Sequence, residues 1–308
     1  MSRIGVLSTA LRTPLGDRPA AVLDRLLRGE RAIGPHSLLP PVYPAALSAR
    51  VPGDPLPCPQ ARFLGRVGLF ALEVAREAAA GWAGDRDRLG VFMGIGGLRA
   101  LWNELLPAMV HQRPDGEGAW ARGLKQVHPY WMLRHLSNNA HALISIELEA
   151  RGDGVTCAGA IGGLMALEAA LRALRADALD AALVIGADSL IEPELLVEGY
   201  ASGRWAEGRA PGEAAAAVLL ARDRGLGNLT VRTAHTTAAT VPAASTLEGL
   251  GPGRRIDLDG ATGELGAATG LVQLVIMAEL LGRGHGGPIE GRSGGSPDQA
   301  GWLRLGPT

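Results

Sequence analysis

The sequence predicts an α/β fold built on buried, mostly parallel strands. Short apolar runs of strand length recur along the 308 residues, and longer stretches rich in Ala and Leu with helical spacing follow them. The run from residue 181 to 188 stays apolar on both faces up to its final Asp188, which is typical of a strand covered on both sides. Strands and helices therefore alternate in both halves of the chain.

The clearest helix is predicted from Gly162 to Arg175, directly before that strand. Its apolar residues recur every three or four positions and so share one face. They are Leu164, Leu167, Leu171 and Leu174. Small residues on another face predict a close approach to a neighbouring element. Further along, residues 214–221 predict a second strand and residues 266–281 another buried helix.

Composition excludes several classes of function. A net charge of -1 provides no positive field for nucleic acid, and 47% hydrophobic with 20% charged residues is typical of a folded protein. The only two cysteines, Cys58 and Cys157, cannot form a disulfide framework and fit a reducing compartment, so we expect the cytoplasm. The N-terminus lacks a signal-peptide pattern, and the apolar window 265–278 is too short to span a membrane.

No metal or cofactor is expected. Two isolated cysteines and seven scattered histidines do not form the clusters that hold a metal ion. The run from Gly94 to Gly97 does not have the spacing of a dinucleotide fingerprint, and no acidic residue is placed to bind a ribose.

Several motifs, in the right order, resemble the landmarks of β-ketoacyl synthases of the thiolase superfamily. They are the strand at 4–6 with Thr13-Pro14-Leu15-Gly16, the glycine-rich strand end at 89–97, Pro129-Tyr130 with Asn138, the run 211–220, the segment 262–270 and the segment 292–298. The resemblance implies a thiolase-like fold, in which two similar βαβ-rich halves form a layered α-β-α-β-α sandwich. We interpret residues 1–308 as a single domain, with an N-terminal half at 1–190 and a shortened C-terminal half at 191–308.

Members of this family that condense acyl chains use a Cys at the start of a helix, where the helix dipole and backbone N–H groups favour the thiolate and the oxyanion. An ungapped match of Gly163 and Asp180 to the family pattern puts Ala160 at that Cys position. Cys157 then lies three residues too early. Cys157 reaches the active position only with a deletion before it and an insertion inside the helix, which rotates the apolar face.

Three other family positions also depart from the pattern. Glu264 occupies the position of the His in the family's "TGH" segment. If residues 256–263 are the remnant of the loop that carries the second His, Asp259 replaces that residue. Ser293 stands where the family has a gating Phe. No catalytic residue is therefore expected.

The departures leave three functions open. The first is a non-catalytic subunit resembling a chain length factor of a type II polyketide synthase, in particular the compact kind that accompanies polyene-forming synthases. Such a subunit pairs with an active ketosynthase as a heterodimer, meets acyl carrier protein through the complex and shapes the acyl tunnel. The second is an active 3-oxoacyl-[acyl-carrier-protein] synthase with Cys157 as nucleophile, and the third is a scaffold unrelated to acyl chemistry.

The first function predicts which residues line the tunnel or the dimer interface: Cys157, Gly159, Ala160, Ile161 and Ser293. The aromatic-rich segment from about residue 100 to 135 is interpreted either as a cap or interface excursion or as core filling.

Overall fold

The computed structural model describes residues 3–36, 47–96, 104, 125, 127–205, 209–235, 244–296 and 299–307. The strands are β1 Ile4–Arg12, β2 Gly34–Pro35, β3 Leu47–Ser48, β4 Leu89–Ile95, β5 Val155–Ala158, β6 Ala181–Ser189, β7 Glu213–Arg222, β8 Asn228–His235, β9 Thr246–Glu248, β10 Ile256–Asp257, β11 Ile289–Ser296 and β12 Gln299–Gly306. The helices are α1 Pro19–Leu27, α2 Arg66–Ala79, α3 Trp131–His135, α4 Asn139–Glu147, α5 Gly162–Arg175, α6 Pro193–Ala201, α7 Leu258–Thr262 and α8 Thr269–Gly282, with 3-10 turns at Pro59–Arg62 and Gly266–Ala268.

The first sheet has the strand order β1-β7-β6-β4-β5. β4 runs parallel to both β5 and β6, whereas β7 runs antiparallel to β6 and to β1. Every residue of β6 is buried, as its uniformly apolar sequence predicts. Leu183 and Ile185 face a core shared with α2, and Val184 faces the core on the opposite side. The alternation of the two cores along one strand is the consequence of the two-residue period of side-chain direction.

The helix α5 packs against β4 and β6 with its leucine face. Those four leucines are buried as predicted. The close approach predicted for its small residues is also present at the helix start. A methyl group on Gly94 of β4 would overlap the backbone of Gly163, and a methyl group on Gly163 would overlap the carbonyl oxygen of Ala267. Because neither glycine has a side chain, β4, α5 and the 3-10 turn before α8 touch through their backbones.

The second sheet has the order β10-β9-β11-β12-β8, and its pairs are antiparallel throughout the described strands. Its inner face packs on α5 and α8, which also cover the first sheet. The described elements therefore form the layers α-β-α-β, with α2 outermost on one side. The predicted α/β class and thiolase-like fold are confirmed. The prediction of mostly parallel strands is wrong, because among the described strands only β4 with β5 and β4 with β6 form parallel ladders. An apolar run reports burial on both faces and not the direction of the neighbouring strands.

The second half differs from the first in what covers its sheet. No helix among the described residues lies on the outward face of the second sheet, where Arg232 and Arg304 are exposed. Only ten residues, 236–245, connect β8 to β9.

The division of the chain at residue 190 stays a prediction, although β7 from beyond that point completes the first sheet. Trp102, Trp120 and Gly97 lie outside the described residues, as does most of the aromatic-rich segment. Within the described parts of the chain, no helix is both long and apolar enough to cross a membrane.

Candidate functional site

Ala160, which the resemblance assigns to the nucleophile position, lies in the turn just before α5. β5 ends at Ala158, and Gly159 turns the chain with a φ of 112°, a left-handed conformation that favours glycine. The N–H of Gly159 donates to the carbonyl of Ile95 at 3.1 Å, and the N–H of Gly162 donates to that of Gly159 at 2.9 Å. Ala160 thus precedes the helix by two residues and is half-buried, but its methyl group has no chemistry to offer.

Cys157 lies in a strand and not at the helix start. It is half-buried in β5, in register with Gly94 of β4. Burial raises the pKa of its thiol above the ordinary value, and the charge of Arg172 lowers that pKa by a smaller amount. The surroundings therefore disfavour the thiolate, which is the form that attacks a thioester.

Glu264 is buried and engaged in ion pairs. Its Oε1 accepts from Nη2 of Arg204, and its Oε2 lies 3.4 Å from Nη2 of Arg209. The guanidinium of Arg204 also lies over the ring of Trp205, with 4.7 Å between its central carbon and the ring centre. The backbone of Glu264 bonds Ala210 and Gly212. The carboxylate therefore ties the loop before β7 to the segment that leads into α8.

Asp259 lies in α7 with its carboxylate turned inward. Its Oδ2 accepts from the N–H of Ser245 at 2.8 Å, while its Oδ1 is buried without a partner among the described residues. The pKa of Asp259 is raised to about 7, mainly by burial and to a smaller extent by the negative charge of Glu264, while the hydrogen bond from Ser245 lowers it. The two carboxylates are therefore close enough to interact, at the two positions where the resemblance expects imidazoles.

Ser293 takes part in a buried hydrogen-bond network. Its hydroxyl donates to Oε1 of Gln273 in α8 at 2.8 Å. The amide nitrogen of Gln273 donates in turn to the carbonyls of Thr246 and Arg292, at 3.2 and 2.8 Å. The network fixes β11 and β9 to α8, so Ser293, which the resemblance assigns to the gate position, joins strands to a helix in the core.

Sequence reasoning missed Asp188, which joins the two halves at the site. Its buried carboxylate accepts from the N–H of Ala267 at 2.9 Å and from that of Ser189 at 2.8 Å. Side chains on Gly96 or Gly266 would overlap it. The signal was present in the sequence, because an acidic residue that ends an otherwise apolar strand needs buried partners.

The predicted positions fall into neighbouring but distinct surroundings. Asp259 and Glu264 interact with each other, and Ala267, three residues after Glu264, touches the start of α5 at Gly163. The turn at Gly159 lies near the side-chain amide of Gln299 at the start of β12. Ser293 contacts Gln273 and is not joined to the carboxylates by any hydrogen bond among the described residues.

A cavity of about 100 Å³ opens at the carboxyl ends of β4 and β6. Ile95, Asp188 and Ser189 line it from the sheet, and Arg66 and Arg134 line it from the helical side. Arg66 binds the buried carboxylate of Glu213 at 3.0 Å. The cavity wall is therefore charged as well as apolar. Within the described residues, no group of three or more metal-ligating side chains could hold a metal ion.

The family model described as beta-ketoacyl synthase, N-terminal domain, matches residues 1–225. The chain belongs to the β-ketoacyl synthase family. No curated protein sequence matches the chain significantly.

Solved structures similar to this β-ketoacyl synthase family member share its fold at low identity. The ketosynthase ApeO in complex with its chain length factor ApeC, from Xenorhabdus doucetiae, has a TM-score of 0.74 at 15% identity, over 100% of this chain and 98% of that one. The ishigamide ketosynthase/chain length factor has a TM-score of 0.71 at 16% identity, over 99% of both chains. The AntDE:AntF complex, a type II polyketide synthase acyl-carrier protein with its hexaketide-bound ketosynthase, has a TM-score of 0.74 at 12% identity, over 100% of both chains.

Proposed function

We propose that this chain is a non-catalytic ketosynthase-like subunit of the chain length factor type. It pairs with an active ketosynthase, helps to shape the acyl tunnel at their interface and meets acyl carrier protein only through that complex. The observation that carries the proposal is Ala160 at the start of α5, because a methyl group there cannot form the acyl thioester on which condensation depends.

The state of Cys157 supports the same conclusion. A nucleophilic cysteine needs a lowered pKa, usually from a helix N-terminus or a nearby cation, whereas burial raises the pKa of Cys157. Its place in β5 also leaves it before the turn that leads to α5. Cys157 is better explained as a half-buried packing residue of the outer strand.

The two carboxylates argue against condensation independently of the nucleophile. In the family, the imidazoles steady the enolate that forms when the malonyl group loses its carboxylate. Glu264 carries a negative charge held by two arginines, and Asp259 adds a second acidic group beside it. Negative charge near a developing enolate destabilises it.

The outer strand of the first sheet supports pairing with another subunit. β5 is the terminal strand in the sheet order, with Ala158 exposed and its other residues half-buried. An unpaired strand edge of this kind invites pairing with another chain. Exposed apolar side chains on the nearby helix α3 and just after it, Met132, Leu133 and Leu136, add apolar surface. Two of the similar structures are described as complexes of a ketosynthase with a chain length factor.

Catalysis by the isolated protein is tested with an acyl thioester, malonyl carrier protein and cerulenin. We expect no acylation or cerulenin labelling of Cys157 and no condensation product, both measured by mass spectrometry. The Cys157→Ser variant is the control for background labelling. Labelling at Cys157 together with product formation would show an active synthase and end the proposal.

Pairing is tested by co-expression with a ketosynthase that retains its Cys and both His. We expect the two chains to co-purify in equal amounts, as measured by size-exclusion chromatography with light scattering. The Ala158→Glu variant is expected to abolish pairing, because it buries an unpaired charge at the edge of β5. The matched control Ala80→Glu, an exposed alanine at the end of α2, should pair normally. A complex that tolerates Ala158→Glu would place the interface elsewhere.

A further inference from the structure

The outward face of the second sheet presents an ordered set of exposed side chains. Strand register brings Trp302 of β12 directly opposite Arg232 of β8 on one side and Arg292 of β11 on the other. One step along β12, Arg304 lies between Thr230 and Glu290 in the same way. Directly opposite residues share a face, so these six side chains, which we call the outer face, form two rows across three strands.

The outer face contains a groove around Trp302. The groove has a volume of about 240 Å³, and Thr230, Arg232, Glu290, Trp302 and Arg304 are among the residues that line it. The two arginines and Glu290 are exposed, while Trp302 is half-buried with part of its indole open to the groove. No helix among the described residues covers this face.

One of the three arginines on the outer face is ion-paired and the other two are not. Arg292 is paired with Glu248 of β9 at 3.2 Å, so the two charges offset each other. Arg232 and Arg304 form no ion pair with any described residue, even though Glu290 lies opposite Arg304. Two guanidinium groups that lack an ion pair among the described residues therefore lie beside an aromatic ring.

We propose that the outer face binds an acidic segment of a partner protein that carries an apolar residue between carboxylates. Guanidinium groups bind carboxylates in two-point geometry, and a partly open indole accepts an apolar side chain. Arg and Trp are also the residue types that contribute most to protein interfaces. Arg304 lies one strand and two residues away from Arg232, so the two guanidinium-bearing positions are roughly 8 Å apart, which is about one and a half turns of a helix.

The same residues disfavour a nucleic acid or a membrane surface as the occupant. Glu290 and Glu248 lie on this face, and a uniformly anionic polymer or lipid surface would approach both carboxylates. A peptide can place its own charges selectively. The proposal depends on neither Ala160 nor pairing through β5. Peptide binding can therefore fail while the proposed function holds, and the proposed function can fail while the peptide binds.

The proposal is tested with a fluorescein-labelled peptide of the pattern Glu-Glu-Leu-Leu-Glu-Glu, and fluorescence anisotropy is measured on the whole protein at low salt. We expect saturable binding that weakens as salt is added. Arg232→Gln and Arg304→Gln should each weaken it about threefold or more, and Trp302→Ala about fivefold or more. Glu290→Gln should strengthen binding, because it removes a repulsive carboxylate.

Two controls make the result specific. A peptide with Gln in place of Glu should not bind, and Arg18→Gln, an exposed arginine outside this face, should leave binding unchanged. Because Arg232 and Arg304 are exposed, Arg232→Gln and Arg304→Gln are expected to fold even if Trp302→Ala does not. The proposal is overturned if the peptide does not bind at protein concentrations up to about 1 mM. It is also overturned if Arg232→Gln and Arg304→Gln both bind the peptide as tightly as the wild type. It is also overturned if duplex DNA or phosphatidylglycerol vesicles bind through these arginines while the acidic peptide does not.

Discussion

At the residue scale, Asp259 has the most perturbed environment in the candidate site. Its pKa is raised to about 7, first because burial disfavours the charged carboxylate and then because of the negative charge of Glu264. A pKa that is higher in the folded protein than in the unfolded chain means that the folded state holds the proton more tightly. The resulting stabilisation is fully present below about pH 4 and is lost as the pH rises through about 7.

We therefore predict that Asp259→Asn flattens the dependence of stability on pH. Asn keeps an oxygen for the Ser245 N–H but does not ionise, so the variant should avoid a loss of up to about 4 kcal/mol between pH 4 and pH 8. Urea unfolding of the variant and the wild type at a series of pH values measures the difference. Asp17→Asn, an exposed carboxylate elsewhere, should follow the wild-type curve. Parallel curves for Asp259→Asn and the wild type would contradict the prediction.

At the scale of single elements, α5 and the 3-10 turn are held together by backbone contact at Gly163. A methyl group there would overlap the carbonyl oxygen of Ala267 and lie 2.8 Å from a methyl carbon of Leu271. We predict that Gly163→Ala lowers the free energy of unfolding by about 1–3 kcal/mol, more than Ala gains from its higher helix propensity. Gly286→Ala is the control, because a methyl group at Gly286 has open space around it. If urea unfolding shows that Gly163→Ala leaves the free energy of unfolding unchanged, α5 must shift to make room for the methyl group.

The loop between α6 and β7 depends on Glu264 in a comparable way. Glu264→Gln removes the carboxylate charge that pairs with both Arg204 and Arg209, so each arginine loses this ion pair. Both arginines are partly exposed, so we predict a loss of about 1–3 kcal/mol rather than the larger cost of breaking a fully buried pair. Glu279→Gln removes a partly exposed pair between α8 and Arg283, which directly follows the helix, and should cost less than about 1 kcal/mol. Equal effects of the two substitutions in urea unfolding would argue against the role given to Glu264.

Helices and strands could be predicted from the sequence far better than the long-range contacts of the site residues. The strand at 181–188 and the leucine face of α5 follow from periodicity, since each pattern reports a local choice of buried face. The predicted helix at 266–281 begins as a 3-10 turn and continues as α8. The arginines that hold Glu264 lie 55 and 60 residues before it in the chain. No local pattern encodes such a pairing, and the inward turn of Asp259 depends likewise on Ser245 from another segment.

At the scale of the whole molecule, the candidate site is assembled from both halves. The first half supplies the turn at Ala160 and the carboxylate of Asp188, and the second half supplies Glu264 and Ala267. In the second half, the antiparallel sheet and α8 cover the inner side of α5, and no helix among the described residues covers the outward face of that sheet. The layers that position the site are thus retained, while the outermost layer implied by the resemblance is not present among the described residues.

Because the site is shared between the halves, restoring the nucleophile alone should not restore condensation. We predict that Ala160→Cys, in a background with Cys58 and Cys157 changed to Ser, gains a thiol that iodoacetamide labels faster than Cys157 in the Cys58→Ser protein. The start of α5 lowers the pKa of a cysteine there, whereas burial raises the pKa of Cys157. The same variant should form no condensation product from acyl and malonyl carrier thioesters, because under the proposed function Asp259 and Glu264 put carboxylates in place of the two imidazoles. Slow labelling would show that the start of α5 does not lower the pKa of a cysteine at position 160. Product formation would show that the two carboxylates do not block the reaction.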